Sequence, residues 1–144
     1  RQRNLMAQAE RLGIRENVRF LGLRRDIPDI LAASDIFVSA SDWEGAPVSL
    51  LEAMANGLPP VVTDVGENRR VLQDTGARLV PPRDPSALAE ALMEMVADKG
   101  LQMRTADEVR SRALTDYGAD AWVERLLDLY AERSARRDWR RHTQ

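Results

Sequence analysis

Short apolar runs alternate with segments of helical spacing along the first half of the chain. Four of these runs predict buried strands, because β-branched and aromatic residues favour strands and continuous apolar runs are typical of parallel sheets. The four runs are Val18–Leu21, Ile36–Ser39, Pro60–Thr63 and Ala77–Val80. The alternation predicts an α/β fold with a parallel sheet of about four strands and flanking helices.

Helical spacing and end signals define one helix before the first of these strands and three helices between them. A glycine after the last periodic residue, or a proline at the first helical position, marks their ends. The predicted helices are Arg3–Leu12, Ile27–Ala33, Pro47–Ala55 and Asn68–Gln73. Gly13 ends the first of them, and Gly57 with Pro59 ends the third.

After Val80 the strand signals cease and three further helices are predicted. The first is capped by Asp84 and begins at Pro85. Its apolar stripe consists of Leu88, Leu92, Met95 and Val96. The second helix lies near Met103–Leu114, and the third runs from Ala119 to about Ser134. The third has an apolar face, Trp122, Leu126, Leu129 and Tyr130, that we expect to be ordinary core packing.

Composition excludes several classes of chemistry. The 144 residues carry a net charge of −2, which does not indicate a nucleic-acid partner. The chain has no cysteine and one histidine, His142, so a disulfide framework, a thiolate nucleophile and a histidine-based triad or metal cluster are not expected. No apolar run approaches the length of a membrane span. We therefore expect a cytoplasmic protein without a metal site.

Two carboxylates stand out at the junction between the second strand and the following helix. Glu44 and Glu52 lie eight positions apart, on either side of Pro47. The start of a helix offers free N–H groups to a phosphate, and Ala46 and Val48 are the candidate donors. The alternative is that Glu52 belongs to the solvated face of an amphipathic helix, which composition alone favours because exposed glutamate is the rule.

Several segments in order carry a family resemblance. They are Val18–Gly22, Ala33–Val38, Ser41 with Trp43–Gly45, Glu52–Ala55, Gly57–Pro59, Val61–Gly66, and Leu79–Pro82 with Asp84. The run from Val18 to about Pro82 resembles the C-terminal, donor-binding half of GT-B glycosyltransferases, in particular the retaining family of glycosyl transferases group 1. The resemblance implies a Rossmann-like domain that binds a nucleotide-diphosphate sugar as donor substrate, with no cofactor and no metal.

The resemblance also implies residue roles. Glu44, the residue we assign to catalysis, would contact hydroxyls of the donor sugar as a positioning group, and Glu52 would accept hydrogen bonds from the ribose. A carboxylate suits a vicinal diol because its two oxygens accept two hydroxyls at once. Backbone groups of Gly45, Ala46 and Val48 would contact the sugar and the diphosphate. A retaining glycosidase pair is the competing interpretation, and it requires the carboxyls to lie about 5 Å apart across one bond.

Two other loops are expected at the same edge of the sheet, because ligands of open α/β sheets lie beyond the carboxyl ends of the strands. By resemblance, Arg24 lies near the nucleobase and Gly66 near the sugar or the phosphates. For Arg24 a solvated basic loop is the favoured alternative. The sequence departs from the family pattern at Arg70, where a glutamate is common, and at Ala46, where an aromatic residue is common.

We expect residues 1–116 to form an N-terminally truncated nucleotide-sugar-binding domain. Residues 117–134 would form a helix that packs on this domain or crosses to a missing N-terminal acceptor domain, and residues 135–144 a basic tail. In the usual strand order, the family's two earlier strands would lie between Val18–Leu21 and Ile36–Ser39 in the sheet. We therefore expect the chain to have a gap in its sheet, or to close that gap by rearrangement or by pairing with another chain. The truncated chain is expected to be inactive alone.

The acceptor, a saccharide or a lipid-linked glycan, is not defined by the sequence. The basic tail contains Trp139, and two interpretations stay open for it: contact with an anionic membrane at the inner face, or a solvated helix end. Two alternative functions also stay open, a GT-B sugar-nucleotide epimerase and a non-catalytic nucleotide-sugar-binding module.

Overall fold

A computed structural model of the chain describes the backbone of residues 2–141 and the side chains of residues 2–133. Three parallel strands form one sheet in the order β1-β2-β3. They are β1 (Phe37–Ser39), β2 (Pro60–Thr63) and β3 (Arg78–Val80). The α/β class with a parallel sheet is therefore confirmed, and three of the four predicted strands form.

The prediction of a strand at Val18–Leu21 is wrong. Val18 has extended backbone angles, φ −113° and ψ 123°. Within the described residues, however, positions 18–21 pair with no other strand. A strand exists through ladder hydrogen bonds to a neighbour, so an extended apolar run without such a neighbour remains an isolated segment. The sheet accordingly has three strands and not about four.

The described residues contain seven α-helices. Four precede β3: α1 (Gln2–Arg11), α2 (Ile27–Ala32), α3 (Val48–Ala55) and α4 (Asn68–Val71). Three follow it: α5 (Pro85–Ala97), α6 (Lys99–Tyr117) and α7 (Ala119–Arg141). The predicted cap of α5 is confirmed, since an Asp84 carboxylate oxygen accepts the Ala87 N–H at 2.9 Å. Such caps contribute about 1 kcal/mol each.

The central strand β2 separates two apolar clusters. Val61 and Val62 are both fully buried, and successive side chains of a strand point to opposite faces. Val62 packs at one face with side chains of α3, α4 and α6 and of the residue after α4, namely Leu50, Met54, Val71, Leu72, Val109 and Ala113. Val61 packs on the other face with Val80 of β3 and with Ala91 and Met95 of α5. Helices on both faces of the sheet therefore fix its position.

The predicted role of the apolar face of α7 as core packing is wrong. Trp122, Leu129 and Tyr130 are 61%, 62% and 64% exposed. The helix contacts α6, but most of the apolar side chains of its described part, up to residue 133, are exposed. Helical spacing predicts that a face is apolar but does not identify what covers it. Along the described residues, no helix has the length and apolarity that crossing a bilayer requires.

Candidate functional site

The loops that follow the three strands meet at one edge of the sheet, because parallel strands end on the same side. Side-chain and backbone bonds connect these loops. The Thr63 hydroxyl, at the end of β2, donates to the Ser41 carbonyl oxygen at 2.7 Å. Arg83, after β3, donates to the Asp42 carboxylate at 3.1 Å, and this ion pair raises the pKa of the Arg83 guanidinium. Both residues, together with Thr63, line a cleft of about 160 Å³.

Glu44 lies half-buried in the loop after β1. The Ser41 hydroxyl donates to its Oε1 at 2.7 Å, and the Ser39 hydroxyl lies 3.2 Å from that of Ser41. One carboxylate oxygen of Glu44 is therefore held by the protein. Among the described residues, the other oxygen accepts no side-chain hydrogen bond.

Gly66 approaches Glu44 more closely than any other residue type would allow. A Cβ atom built at Gly66 would lie 2.0 Å from the Glu44 carbonyl oxygen and 3.0 Å from its carbonyl carbon. The φ angle of Gly66, 53°, lies in the left-handed region that favours glycine. The Val65–Gly66 turn thus packs directly on the backbone of the candidate catalytic residue.

Asn68 supports this turn from inside the protein. Its side chain is 1% exposed, its N–H donates to the Val65 carbonyl at 3.2 Å, and its Nδ2 donates to the Thr63 carbonyl at 2.9 Å. The Oδ1 atom has no hydrogen-bond partner among the described residues. Burying an amide is costly unless it is hydrogen-bonded. The two bonds that Asn68 donates therefore favour this conformation of the turn.

Aromatic surface is present beside Glu44, although the family position of the aromatic residue holds Ala46. Trp43 is 78% exposed, and a Cβ at Gly45 would lie 3.2 Å from its ring atom Cη2. The indole ring therefore covers Gly45, next to the exposed Ala46.

The start of α3 differs slightly from the prediction. Pro47 is the N-cap and not the first helical residue, and the helix begins at Val48. The Val48 N–H donates to the Ala46 carbonyl at 2.9 Å, so in this conformation it is not free for a phosphate. The N–H groups of Ser49 and Leu50 lie in the first turn, where amides have no partner within the helix.

Glu52 lies on the exposed side of α3, as do Ser49 and Asn56. Its carbonyl oxygen accepts the Asn56 side-chain amide at 2.9 Å. Exposure agrees both with a solvated helix face and with a carboxylate that meets a ligand. The structure therefore leaves the role of Glu52 as a prediction.

Three arginines near these loops have carboxylate partners. Arg24 Nε donates to an Asp26 carboxylate oxygen at 2.8 Å, and this contact lowers the pKa of the Asp26 carboxyl. Arg70 is paired with Glu67, which raises the pKa of its guanidinium. Arg69 is paired with Asp64. Arg69 and Arg70 line a groove of about 640 Å³ that reaches Gly66, so cations flank the turn that packs on Glu44.

The family of the chain is decided by a match over residues 1–98, more than half of its length, to the family described as glycosyl transferases group 1. The chain belongs to this family. Over 63 residues, 44% of the chain, it is 41% identical to UDP-Gal:alpha-D-GlcNAc-diphosphoundecaprenol alpha-1,3-galactosyltransferase from Escherichia coli.

Solved structures of glycosyltransferases have the same fold as this group 1 chain. The crystal structure of WaaG, a glycosyltransferase involved in lipopolysaccharide biosynthesis, matches 80% of the chain with a TM-score of 0.74 and 31% identity. HepE of Anabaena, in complex with UDP, matches 90% with a TM-score of 0.85 and 24% identity. The matches span 16% of the galactosyltransferase, 32% of the WaaG chain and 36% of the HepE chain.

Sequence analysis of this group 1 chain missed the bonds that hold Glu44 in place. The family motif contains Ser41 and Thr63, and the helical pattern contains Asn68, but none of these patterns predicts the bonds that join them. A local signal existed for Ser41, because a hydroxyl three residues before a loop carboxylate is placed to bond it. No local signal exists for Thr63, which bonds a residue 22 positions away.

Proposed function

We propose that the chain is the donor-binding part of a retaining glycosyltransferase that moves a sugar from a nucleotide-diphosphate sugar to an acceptor without a metal. The observation that carries the proposal is the packing of the Gly66 turn on Glu44 at the carboxyl edge of the sheet, beside the start of α3. Ligands of open α/β sheets bind at this edge. The UDP bound in the HepE structure, and the UDP-galactose-dependent relative, favour UDP as the nucleotide.

Each group has a defined task in this proposal. Glu44 accepts hydroxyls of the donor sugar with the oxygen that Ser41 does not hold. Glu52 accepts ribose hydroxyls from its place on α3. The first-turn amides of α3 stabilise negative charge on the diphosphate, which grows as the sugar leaves.

The reaction breaks the bond between the anomeric carbon and the diphosphate oxygen. The acceptor oxygen then bonds the anomeric carbon on the same face, and the acceptor's proton leaves with the nucleoside diphosphate. The acceptor is a saccharide or a lipid-linked glycan. Retention and metal independence are carried over from the family resemblance, and we propose them with the rest.

The 144-residue chain is proposed to bind its donor and to be inactive alone. Its matches span less than a fifth of the galactosyltransferase, so the binding groups for an acceptor are expected in sequence that it does not contain. The basic tail, 135–144, is a proposed contact with an anionic membrane at the cytoplasmic face, and its side chains lie outside the described residues.

A ligand screen tests the donor proposal. We expect UDP, or a UDP-sugar, to raise the melting temperature of the chain, whereas the chain releases no free sugar from any nucleotide sugar. EDTA should leave donor binding unchanged. Failure of every nucleotide sugar to bind would contradict the proposal, and inversion of a sugar stereocentre without an acceptor would favour the epimerase.

Liposome flotation tests the tail. The chain is expected to float with vesicles that contain anionic lipid, and a chain shortened by residues 135–144 to remain in solution. Each cation near such a surface contributes about 1 kcal/mol. Equal flotation of both forms would remove the membrane contact and leave the solvated helix end.

A further inference from the structure

We propose that Ser41 is a positioning residue that orients the Glu44 carboxylate toward the donor sugar, with Thr63 and Asn68 holding Ser41 in register with β2. The inference rests on the proposed function, because it gives Glu44 a sugar to bind. It adds three residues to the site that neither the resemblance nor the spacing of the two carboxylates assigns.

The direction of the hydroxyl bonds defines the role of Ser41. A serine hydroxyl has one proton to donate. Ser41 gives that proton to Glu44 Oε1 at 2.7 Å, so toward the Ser39 hydroxyl, 3.2 Å away, it acts as the acceptor. The chain of donors therefore runs from Ser39 through Ser41 to Glu44. A hydrogen bond to a charged oxygen is stronger than one between neutral groups, so it favours one rotamer of the carboxylate.

Buried bonds hold Ser41 itself. Thr63 is 3% exposed and donates its only hydroxyl proton to the Ser41 carbonyl oxygen at 2.7 Å. Asn68 in turn donates to the Thr63 carbonyl at 2.9 Å. Because Thr63 and Asn68 are shielded from water, these bonds keep the Glu44 loop in a fixed position relative to the sheet.

Glu44 is thereby fixed at two points. Its carboxylate is held by Ser41, and its carbonyl oxygen lies against Gly66, where no Cβ fits. Preorganised groups bind more tightly because the cost of ordering them is met during folding. Loss of the Ser41 hydroxyl should therefore weaken binding of the sugar and not of the nucleotide.

Calorimetric titration of the 144-residue chain with UDP and with UDP-glucose separates these two effects. The readout is the dissociation constant of UDP divided by that of UDP-glucose, which isolates the contribution of the sugar. We expect Ser41→Ala to reduce this ratio roughly threefold to tenfold, the cost of ordering one flexible side chain. Binding of UDP should change by less than about twofold.

Two variants distinguish positioning from a general structural role. Ser41→Thr keeps the hydroxyl and should leave the ratio at its wild-type value. Ser34→Ala is the matched control. It also removes a hydroxyl bonded at 2.7 Å, to the Ile30 carbonyl of α2, but Ser34 lies just after that helix, and its loss should leave the ratio unchanged. Ser39→Ala provides a second probe should Ser41→Ala fold poorly, because it removes the group that donates to Ser41 and should lower the ratio by a smaller factor.

An unchanged ratio in Ser41→Ala, with Glu44→Ala reducing it, would overturn the inference and leave the proposed function intact. Equal weakening of UDP and UDP-glucose in Ser41→Ala would also overturn it, because that result assigns Ser41 to the fold alone. A wild-type chain that binds neither compound, nor any other nucleotide sugar, would contradict both proposals together.

Discussion

Gly66→Ala is expected to lower the free energy of unfolding by at least about 3 kcal/mol and to abolish sugar binding. The new methyl would lie 2.0 Å from the Glu44 carbonyl oxygen, well inside van der Waals contact, and the neighbour it meets is backbone. Either the turn or the Glu44 loop must move. Urea denaturation measures the first consequence, and titration with UDP-glucose measures the second.

Gly13→Ala is the control for this substitution. Gly13 has a similar φ of 68°, but a Cβ there would meet no atom within 4 Å. It therefore carries the left-handed backbone cost, roughly 1 kcal/mol, without a clash. If Gly66→Ala destabilised the chain no more than Gly13→Ala and still bound UDP-glucose, the close contact between the turn and Glu44 would be wrong.

Asn68→Asp is expected to destabilise the chain by about 3 kcal/mol near pH 7.5. The amide that donates to the Thr63 carbonyl would become a carboxylate, so two acceptors would face each other at a position that is 1% exposed. Burial and the nearby carbonyl both raise the pKa of the introduced carboxyl, because both disfavour its charged form.

The sign of the pH dependence follows from that raised pKa. A group whose pKa is higher in the folded state stabilises the fold below its unfolded pKa, about 3.9 for this carboxyl, and loses that contribution as the pH rises through the folded value. The stability difference from wild type should therefore shrink as the pH falls from about 7.5 to about 4.5. Chemical denaturation across this range measures it.

Asn56→Asp provides the comparison for Asn68→Asp. The Asn56 amide donates to the Glu52 carbonyl at the same 2.9 Å, but its side chain is exposed. Its replacement should cost less than about 1 kcal/mol, because solvent supplies new partners. Similar losses at both positions would contradict the buried role of Asn68.

Local chemistry was sufficient to predict much of the fold. Short apolar runs located β1, β2 and β3, and the Asp84-Pro85 pair located the start of α5. Local chemistry was not sufficient where contact with another element of the fold decides the structure. Val18–Leu21 has strand composition but no partner strand among the described residues, and the apolar face of α7 has no covering element among them. Neither fact is contained in residue spacing.

The candidate site divides in the same way. The family motif and the loop-to-helix junction pointed to Glu44, and the Val-Gly turn pointed to Gly66. Their direct packing could not be predicted, because it depends on how two loops from different strands meet. The bond from Thr63 to Ser41 joins residues 22 positions apart, so only the folded arrangement reveals it.

The central claim is that two carboxylates hold different ends of one nucleotide sugar. Titration of Glu44→Ala and Glu52→Ala with UDP and with UDP-glucose tests it most directly. We predict that Glu52→Ala weakens both ligands by a similar factor, roughly tenfold, because both contain the ribose. Glu44→Ala should weaken UDP-glucose alone. If neither substitution changed either dissociation constant, the two side chains would be a solvated surface and the claim would be wrong.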